Sequence, residues 1–319
     1  MENKQTLNTV SKTFPDEKRL VVIDGNHLIH RAFHAIQSEL RTSSGEQTNA
    51  VYGFASMLLN IIDAERPDYF VMTFDERAPT FRHDEHEGYK ATRAKTPDAL
   101  YAQIPRIREM VTIARIPMFS QEGFEADDMM GTLAKKAAEK GITTFIITGD
   151  MDALQLITPH VYVVFPHKGY REPLVYDAEK VFEKYHIHPN QVVDYKALMG
   201  DNSDNIKGVE GIGPKYAVDL LTAYKTLDGI YEHVNEIASE KIRSRLIAGK
   251  EDAYFAQRLA RIVTDVPCDF LPQKATLASI DFNALGRFFE KMEMRSLERR
   301  LKKVIPQNLL VSEAQMSLF

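Results

Sequence analysis

The sequence contains very little cysteine and no long apolar segment. Cys268 is the single cysteine among 319 residues, which excludes an internal disulfide framework and a zinc site built on several thiolates. No apolar run reaches the roughly eighteen residues that a membrane span needs, and the polar N-terminal stretch lacks the apolar core of a signal peptide. With 44% apolar residues, the chain can still bury a sizeable core. We therefore expect a globular cytoplasmic protein in which residues 1–18 form a disordered leader.

Positive charge is also scarce. The chain has 40 lysines and arginines against 45 aspartates and glutamates, a formal net charge of −5. Proteins that bind nucleic acid normally present a basic surface, so the average charge argues against such a partner. The argument weakens if many acids converge on bound divalent ions, because the ions then cancel that charge locally.

Short β-rich segments alternate with helical segments in the first half of the chain. We predict strands at 19–24, 68–75, 116–120, 143–150 and 161–166, and helices at 48–65 and 125–141. This alternation predicts an α/β fold over residues 19–176, with a mostly parallel twisted sheet flanked by helices. Residues 177–303 are predicted to be helical, and residues 304–319 to form a flexible tail.

Aspartate ends three of the predicted strands. Asp24, Asp75 and Asp150 should meet at one edge, because ligands of parallel sheets bind beyond the C-terminal strand ends. Six further acids lie at nearby junctions: Glu125, Asp127, Asp128, Asp152, Asp201 and Asp204. So many carboxylates crowd together only if cations neutralise them. Oxygen-only ligands favour Mg²⁺ or Mn²⁺ over zinc, and two such ions about 3.5–4 Å apart can promote phosphodiester hydrolysis.

Each of these acids, taken alone, also has a structural explanation. Asp24 could cap the following helix, and Asp127 and Asp128 could complement a helix dipole. Asp201 and Asp204 could form turn hydrogen bonds. Coincidence would then have to explain why strand after strand ends in aspartate at one edge.

The segment 197–215, ALMGDNSDNIKGVEGIGPK, places three glycines within six positions directly after two aspartates. It is not a calcium loop beginning at Asp201, since Ile206 and Ile212 occupy the places where that motif needs glycine and glutamate. A glycine-rich turn can instead present bare backbone N–H groups to a phosphate. The segment therefore predicts a phosphate-binding hairpin beside metal ligands.

In order and spacing, these motifs resemble the 5′ nuclease family, which comprises the flap endonucleases and the 5′–3′ exonuclease domain of bacterial DNA polymerase I. The matching segments are VVIDGNHLIHRAFHA (21–35), TNAVYGFASML (48–58), FDERAPTFRHDEHEGYKATR (74–93), GFEADDMMGTLA (123–134), ITGDMDALQL (147–156) and GDNSDNIKGVEGIGPKYA (200–217). The resemblance reaches about residue 265. It implies a divalent-metal-dependent 5′–3′ exonuclease and flap endonuclease, with all nine acids around the ions. We expect it to remove RNA primers and flaps in lagging-strand maturation and repair.

The resemblance also implies a helical arch at about 78–100 that covers the active site. Lys90, Arg93 and Arg82 would meet the charge of the scissile phosphate, and Tyr89 could stack an unpaired base. Arg31 is a further phosphate candidate. The alternative is a solvated basic loop without a specific role.

A helix-hairpin-helix is implied at about 206–224. Gly208, Gly211 and Gly213, with Lys215, would contact the backbone of duplex DNA, with K⁺ bound there, and such contacts do not read sequence. The chain departs from the family at Lys207, where proline is common; this lysine could add a phosphate contact or loosen the turn. Tyr216 replaces a small residue.

The C-terminal peptide QMSLF (315–319) is similar to the peptide with which bacterial replication proteins enter the sliding clamp. Met316, Leu318 and Phe319 would fill an apolar cleft, and Gln315 would hydrogen-bond beside it. An idle tail is the alternative. We expect a bacterial, nucleoid-associated monomer.

Other functions stay open at this point. A zinc site is disfavoured because the histidines do not form an HExxH pattern; they are His27, His30, His34, His83 and His86. A structure-specific DNA-binding protein without catalysis would be expected to have lost some of the acids. A PIN-like ribonuclease would normally lack the helix-hairpin-helix.

Overall fold

The computed structural model describes residues 17–305. The predicted leader therefore lies almost entirely outside the described residues, and the clamp peptide does so completely. The strands are β1 Arg19–Asp24, β2 Tyr69–Thr73, β3 Met118–Phe119, β4 Thr143–Ile147, β5 Val161–Phe165, β6 Leu174–Tyr176, β7 Gly200–Asp201 and β8 Ile206–Lys207. The α-helices are α1 Gly25–Ala35, α2 Asn49–Glu65, α3 Phe81–Glu85, α4 Asp98–Tyr101, α5 Ile104–Ile113, α6 Ala126–Ala138, α7 Ala178–Tyr185, α8 Val192–Met199, α9 Pro214–Tyr224, α10 Leu227–Glu232, α11 Glu240–Ala248, α12 Lys250–Ala260, α13 Phe282–Lys291 and α14 Arg295–Val304.

Six strands form the central sheet in the order β3-β2-β1-β4-β5-β6. Strands β1 to β5 are parallel, and β6 runs antiparallel to β5. From β1 the chain goes first to β2 and β3 on one side, and then to β4 and β5 on the other. The junction between β1 and β4 is thus a topological switch point, where α/β sheets build their sites. The predicted α/β fold class is confirmed.

Alternate residues of β1 enter two different cores, as the period of a strand requires. Leu20 and Val22 pack with α6 and with apolar residues of α8 to α12. Val21 and Ile23 pack on the opposite face, with α1, α2 and α5. Helices cover both faces, which explains why the strands are apolar throughout.

The last two helices return to the α/β layer. Phe289 of α13 and Leu301 of α14 share a core with α2, and Arg300 hydrogen-bonds to Ser56 and Asn60 on that helix. Ala275, before α13, accepts a hydrogen bond from the Phe70 N–H at 2.7 Å. The core on the other face is therefore built from helices α6 to α12.

Strand β1 has the predicted bounds, and the other four predicted strands are shorter than predicted, because flanking residues leave the hydrogen-bond ladder. Strand β3 keeps two residues of the five predicted. The edge strand β6 and the short β7–β8 hairpin were not predicted, since two- and three-residue strands carry too few apolar positions to show a period. None of the described helices is long and apolar enough to cross a bilayer.

Candidate active site

Carboxylates gather at the C-terminal edge of the sheet. Asp24 is the last residue of β1, Asp75 follows β2, and Asp150 follows β4. The carboxylate of Asp24 accepts hydrogen bonds from the His27 N–H at 2.9 Å and from the Thr148 hydroxyl at 2.8 Å. Asp24 thus caps α1, which was the structural role considered for it, and it also lies at the switch point.

Asp75 ties the next helix to this edge. It accepts hydrogen bonds from the Ala126 N–H at the start of α6, at 2.7 Å, and from the Asn26 side chain at 2.6 Å. Asp127 is thereby brought to the same place from the first turn of α6. The acids predicted from strand ends and from the helix start are therefore neighbours in the folded chain.

The electrostatics confirm this proximity. Burial raises the pKa of Asp24 to about 6, with further contributions from Asp75 and Asp150. Burial also raises the pKa of Asp127 well above its usual value, and Asp150 and Asp24 add to the effect. Like charges this close oppose one another's ionisation. The four carboxylates therefore form a site that a cation would stabilise.

A second cluster lies next to the first. Oxygens of Asp152, Asp201 and Asp204 all lie within 4.8 Å of one another. The ammonium group of Lys196 contacts both Asp152 and Asp201, and its distance from Asp201 is 2.6 Å. Burial alone would raise the pKa of Asp201, but Lys196 and hydrogen bonds from Ser203 bring it down to about 2. In the ion-free protein Lys196 thus supplies positive charge to Asp152 and Asp201, and Arg93 supplies it to Asp204.

The donor set fits hard divalent ions. Oxygen is the donor atom in both clusters, which suits Mg²⁺ and Mn²⁺ better than zinc or copper. Burial, together with repulsion between neighbouring carboxylates, raises the pKa of Asp24 and Asp127, and such ions would offset both effects. Asp24, Asp75, Asp127 and Asp150 would hold one ion, and Asp152, Asp201 and Asp204 would surround a second.

Asp128 and Arg82 take a different position from the one predicted. Both are buried, at 0% and 2% exposure, and Arg82 donates two hydrogen bonds to Asp128, at 2.7 and 2.8 Å. Arg82 also donates to the carbonyls of Leu259 and Arg261. The prediction of Asp128 as a metal ligand and Arg82 as a phosphate contact is wrong for this arrangement, because the two side chains saturate each other.

The segment 78–100 lies over the carboxylates, but it is not a continuous helix. Between α3 and α4 it runs through turns, with Lys90 at a φ of 56°. Lys90 contacts Glu125 at 2.6 Å, and the Arg93 guanidinium pairs with Asp204. Opposite charges therefore hold this segment on the site.

Tyr89 is buried beneath this segment, at 4% exposure. Its hydroxyl hydrogen-bonds to Glu125 at 3.1 Å and to Asp204 at 3.2 Å. The prediction that Tyr89 stacks an unpaired base does not hold in this conformation, since the ring faces the protein. Tyr89 instead links Glu125 to Asp204 of the second cluster.

The three hairpin glycines have different roles. Gly208 is buried, and a Cβ there would lie 2.1 Å from the Gly200 nitrogen, so it is needed for close backbone packing and not for phosphate approach as predicted. Gly211 is exposed with a φ of 77°, a conformation that favours glycine. Gly213 caps the exposed start of α9 and has open space around it.

Around the hairpin, Lys215 and Tyr216 are exposed at the start of α9. Lys207 pairs with Asp252 at 2.7 Å, so in this structure its ammonium group makes an intramolecular ion pair. The exposed parts of the hairpin are therefore Gly211 and the start of α9, with the half-buried Gly213 between them.

The histidines do not assemble into a metal site. His83 bonds to Thr80, and His86 bonds to the Asn205 carbonyl. Within residues 17–305, the group able to hold a metal by ligand proximity consists of aspartates alone. Arg31 is half-buried on α1.

Sequence reasoning missed Lys196, Asn26 and Thr148. A signal for Lys196 was present, because it stands five residues before Asp201 on the helix that leads into the hairpin. Asn26 and Thr148 lie two residues from Asp24 and Asp150, and their side chains orient carboxylates. The only feature of the sequence that could have indicated Asn26 and Thr148 was their proximity to strand-end aspartates.

The comparisons with known proteins agree with this site. Residues 19–186 match the family model described as 5′-3′ exonuclease, N-terminal resolvase-like domain. Residues 187–283 match the model described as 5′-3′ exonuclease, C-terminal SAM fold. Together the two models cover the described sheet and the helices α8 to α12.

Two curated relatives extend the match. A 5′-3′ exonuclease of Aquifex aeolicus is 36% identical over 302 residues, which cover 95% of this chain and 100% of that protein. DNA polymerase I of Chloroflexus aurantiacus is 42% identical over 289 residues, which cover 89% of this chain and 30% of the polymerase. The chain thus spans about a third of the length of the polymerases that it matches.

A solved structure shows the same fold. The bacteriophage T5 D15 flap endonuclease, in a complex with DNA and metal ions, superposes with a TM-score of 0.64 at 20% identity, covering 90% of this chain and 98% of that one. With two family models over most of its length and a relative matched from end to end, this chain belongs to the 5′–3′ exonuclease family.

Proposed function

We propose that the chain hydrolyses phosphodiester bonds in DNA with Mg²⁺ or Mn²⁺, as a 5′–3′ exonuclease and a 5′ flap endonuclease. The observation that carries the proposal is the convergence of Asp24, Asp75, Asp127 and Asp150 at the switch point, beneath the cations Lys90 and Arg93. Anionic ligands for ions and cationic groups for a phosphate both assist metal-dependent phosphodiester hydrolysis. When bound, the ions supply activation of water and neutralisation of charge on the phosphate.

The segment 78–100, which we call the covering segment, makes ion pairs that suggest how substrate enters. Lys90 and Arg93 are now paired with Glu125 and Asp204. Ions at the carboxylates would compete for those oxygens, and the two cations would then be free to hold the scissile phosphate. Lys90 and Arg93 would in this way exchange their carboxylate partners within the protein for a phosphate of the DNA.

The hairpin is proposed as the duplex contact. Gly211, Gly213 and Lys215 stand at the exposed start of α9, where backbone N–H groups and the helix dipole favour phosphate. We also propose that a K⁺ ion binds at the hairpin together with the DNA phosphate. Such binding reads the DNA backbone, so it should depend on salt more than on sequence.

The relatives support a proposal for the biological setting. We propose that the protein works in the bacterial cytoplasm at the nucleoid, as a monomer that removes flaps and RNA primers during replication and repair. The peptide at 315–319 would recruit it to the sliding clamp. Removal of Gln315 to Phe319 should abolish retention on immobilised clamp and leave cleavage of naked DNA unchanged; equal retention would contradict the recruitment role.

The direct test is a duplex with a labelled 5′ flap, incubated with Mg²⁺ or with EDTA. Wild-type protein should cut near the junction in Mg²⁺ only, and Asp75→Asn, which keeps an acceptor for the Ala126 N–H, should bind without cutting. Glu87→Ala, at an exposed acid of the covering segment, is the control and should cut normally. A bound but uncut flap with the wild type would point to a non-catalytic binding protein, and preferential cutting of RNA to a ribonuclease.

A further inference from the structure

A groove of about 740 Å³ lies between α1, α2 and the loop at 166–173, and we call it the basic groove. Its ionisable lining residues are all basic: His27, His30, Arg31, His34, Lys168 and Arg171. None of the described residues that line it is acidic, although the whole chain carries a net charge of −5. A groove of one sign on an acidic protein indicates an anionic ligand.

Two of these cations are free to meet such a ligand. Within residues 17–305, neither Arg31 nor Arg171 makes a hydrogen bond or an ion pair to another residue. Lys168 pairs with Glu172 at 2.6 Å, with both side chains more than half exposed, and such surface pairs are weak. Guanidinium groups bind phosphate oxygens through paired, charge-assisted hydrogen bonds.

The loop that carries Lys168 and Arg171 has a strained backbone. Lys168, Gly169 and Tyr170 have φ values of 47°, 66° and 67°, three successive residues in the left-handed region. For residues other than glycine this conformation is strained. Such a conformation persists only where the surroundings hold it.

Buried contacts hold this loop from below. The Tyr170 hydroxyl donates to Glu65 at 2.7 Å in the core, and the Asn60 side chain donates to the Gly169 carbonyl at 2.7 Å. Asn60 is in turn bonded by Arg300 of α14. The backbone that carries Lys168 and Arg171 is therefore held in place by contacts with the core.

The basic groove adjoins the carboxylate site. His27 lines it and also lines a cavity of about 450 Å³ that contains Asp150 and Lys196. His30 lines it and also lines a cavity of about 530 Å³ that contains Asp75. A strand that leaves the carboxylates beside α1 would therefore reach the groove next.

We propose that the basic groove binds the phosphates of the unpaired 5′ strand next to the scissile bond, an inference that rests on the proposed function. The groove lies between two adjacent helices and has the volume of a small-ligand site, so it admits a single strand of one or two nucleotides and not a duplex. Arg31 lies on the active-site helix, and Arg171 holds the strand farther out. Recognition is by charge, without reading of bases.

The test is binding of fluorescent duplexes in EDTA, where no strand is cut, with a 5′ flap of five nucleotides, with a 3′ flap, or with neither. Arg171→Gln should lower affinity for the 5′-flap duplex about three- to tenfold and leave the other two unchanged. The salt dependence of log K should fall by about 0.7 for one lost phosphate contact on a single strand. Adding Arg31→Gln should deepen the loss.

Arg287→Gln, at an exposed arginine of α13, changes the net charge equally and should bind all three duplexes like wild type. Unchanged melting of Arg171→Gln would show that the loop is intact. Equal loss on the duplex without a flap, loss on the 3′ flap, or no loss at all would overturn the inference. Failure of the proposed function would look different, because wild-type protein would then leave the 5′ flap uncut in Mg²⁺.

Discussion

Lys196 and Asp201 are joined by a contact of 2.6 Å between the lysine Nζ and the carboxylate Oδ2, and the same ammonium group contacts Asp152. A side chain thus stands where the second cluster would take a divalent ion. An ion at those oxygens would repel the ammonium group and compete with it for the two carboxylates. We therefore expect Lys196 to weaken this site for ions and to stabilise the ion-free protein.

Replacing Lys196 with methionine should strengthen divalent-ion binding. We expect a three- to tenfold higher Mn²⁺ affinity by calorimetry, up to about 1.4 kcal/mol, together with a lower melting temperature in EDTA because Asp152 and Asp201 then repel each other. Lys241→Met, at an exposed lysine on α11, controls for net charge. Unchanged or weaker Mn²⁺ binding would show that Lys196 does not compete with the ion.

Arg82 is expected to act on stability and not on the phosphate. Arg82→Met leaves Asp128 buried without its partner, which should cost about 3–5 kcal/mol of unfolding free energy, measured by urea denaturation. Arg93→Met is the matched control: its side chain is 48% exposed, so water can reach the vacated place, and the buried Asp204 keeps the hydrogen bond from Tyr89. Its removal should therefore cost less stability than that of Arg82, while cleavage falls. Similar stability losses for the two variants would contradict this division of roles.

Arg82 and Arg93 also show the limit of inference from sequence. Both are arginines in a polar segment, and nothing in the sequence marks one as buried and the other as exposed. The difference arises because Arg82 meets Asp128 and the carbonyls of Leu259 and Arg261, contacts that join segments more than 40 residues apart. Such long-range partners have no local pattern.

The strand-end acids could be predicted because their placement follows from local rules. An apolar run ending in Asp24 or Asp150 predicts both a buried strand and the edge at which the carboxylate lies. The roles of Gly208 and Tyr89 could not be predicted in the same way. Their burial depends on the approach of Gly200 and of Glu125, which is a property of the assembled fold.

Asp24 should make the stability of the ion-free protein depend on pH. Its pKa is about 6 in the folded chain against an ordinary value of 3.8, so between these values the folded state binds more protons than the unfolded state. Stability therefore falls as pH rises through this window. Asp24→Asn should gain stability relative to wild type by about 2–3 kcal/mol between pH 4 and pH 7.5, measured by denaturation in EDTA.

Excess Mg²⁺ supplies the control for that pH effect. Wild-type protein should be stabilised by the ion at pH 7.5, and Asp24→Asn should be stabilised less, because it has lost a ligand oxygen charge. A constant difference between the two proteins from pH 4 to pH 7.5 in EDTA would show that Asp24 is not held in a crowded site.

Two glycines of the hairpin should separate folding from DNA contact. Gly208→Ala places a Cβ 2.1 Å from the Gly200 nitrogen, and because backbone on both sides cannot yield, we expect a large loss of stability or no folded protein. Gly213→Ala meets nothing within 4 Å, so its melting temperature should stay close to that of wild type, as the small effects of changes at helix caps suggest. Duplex affinity of Gly213→Ala should nevertheless fall several-fold, since the added methyl group stands where a phosphate approaches the start of α9. Wild-type affinity for duplex DNA in Gly213→Ala would place the DNA contact elsewhere on the protein.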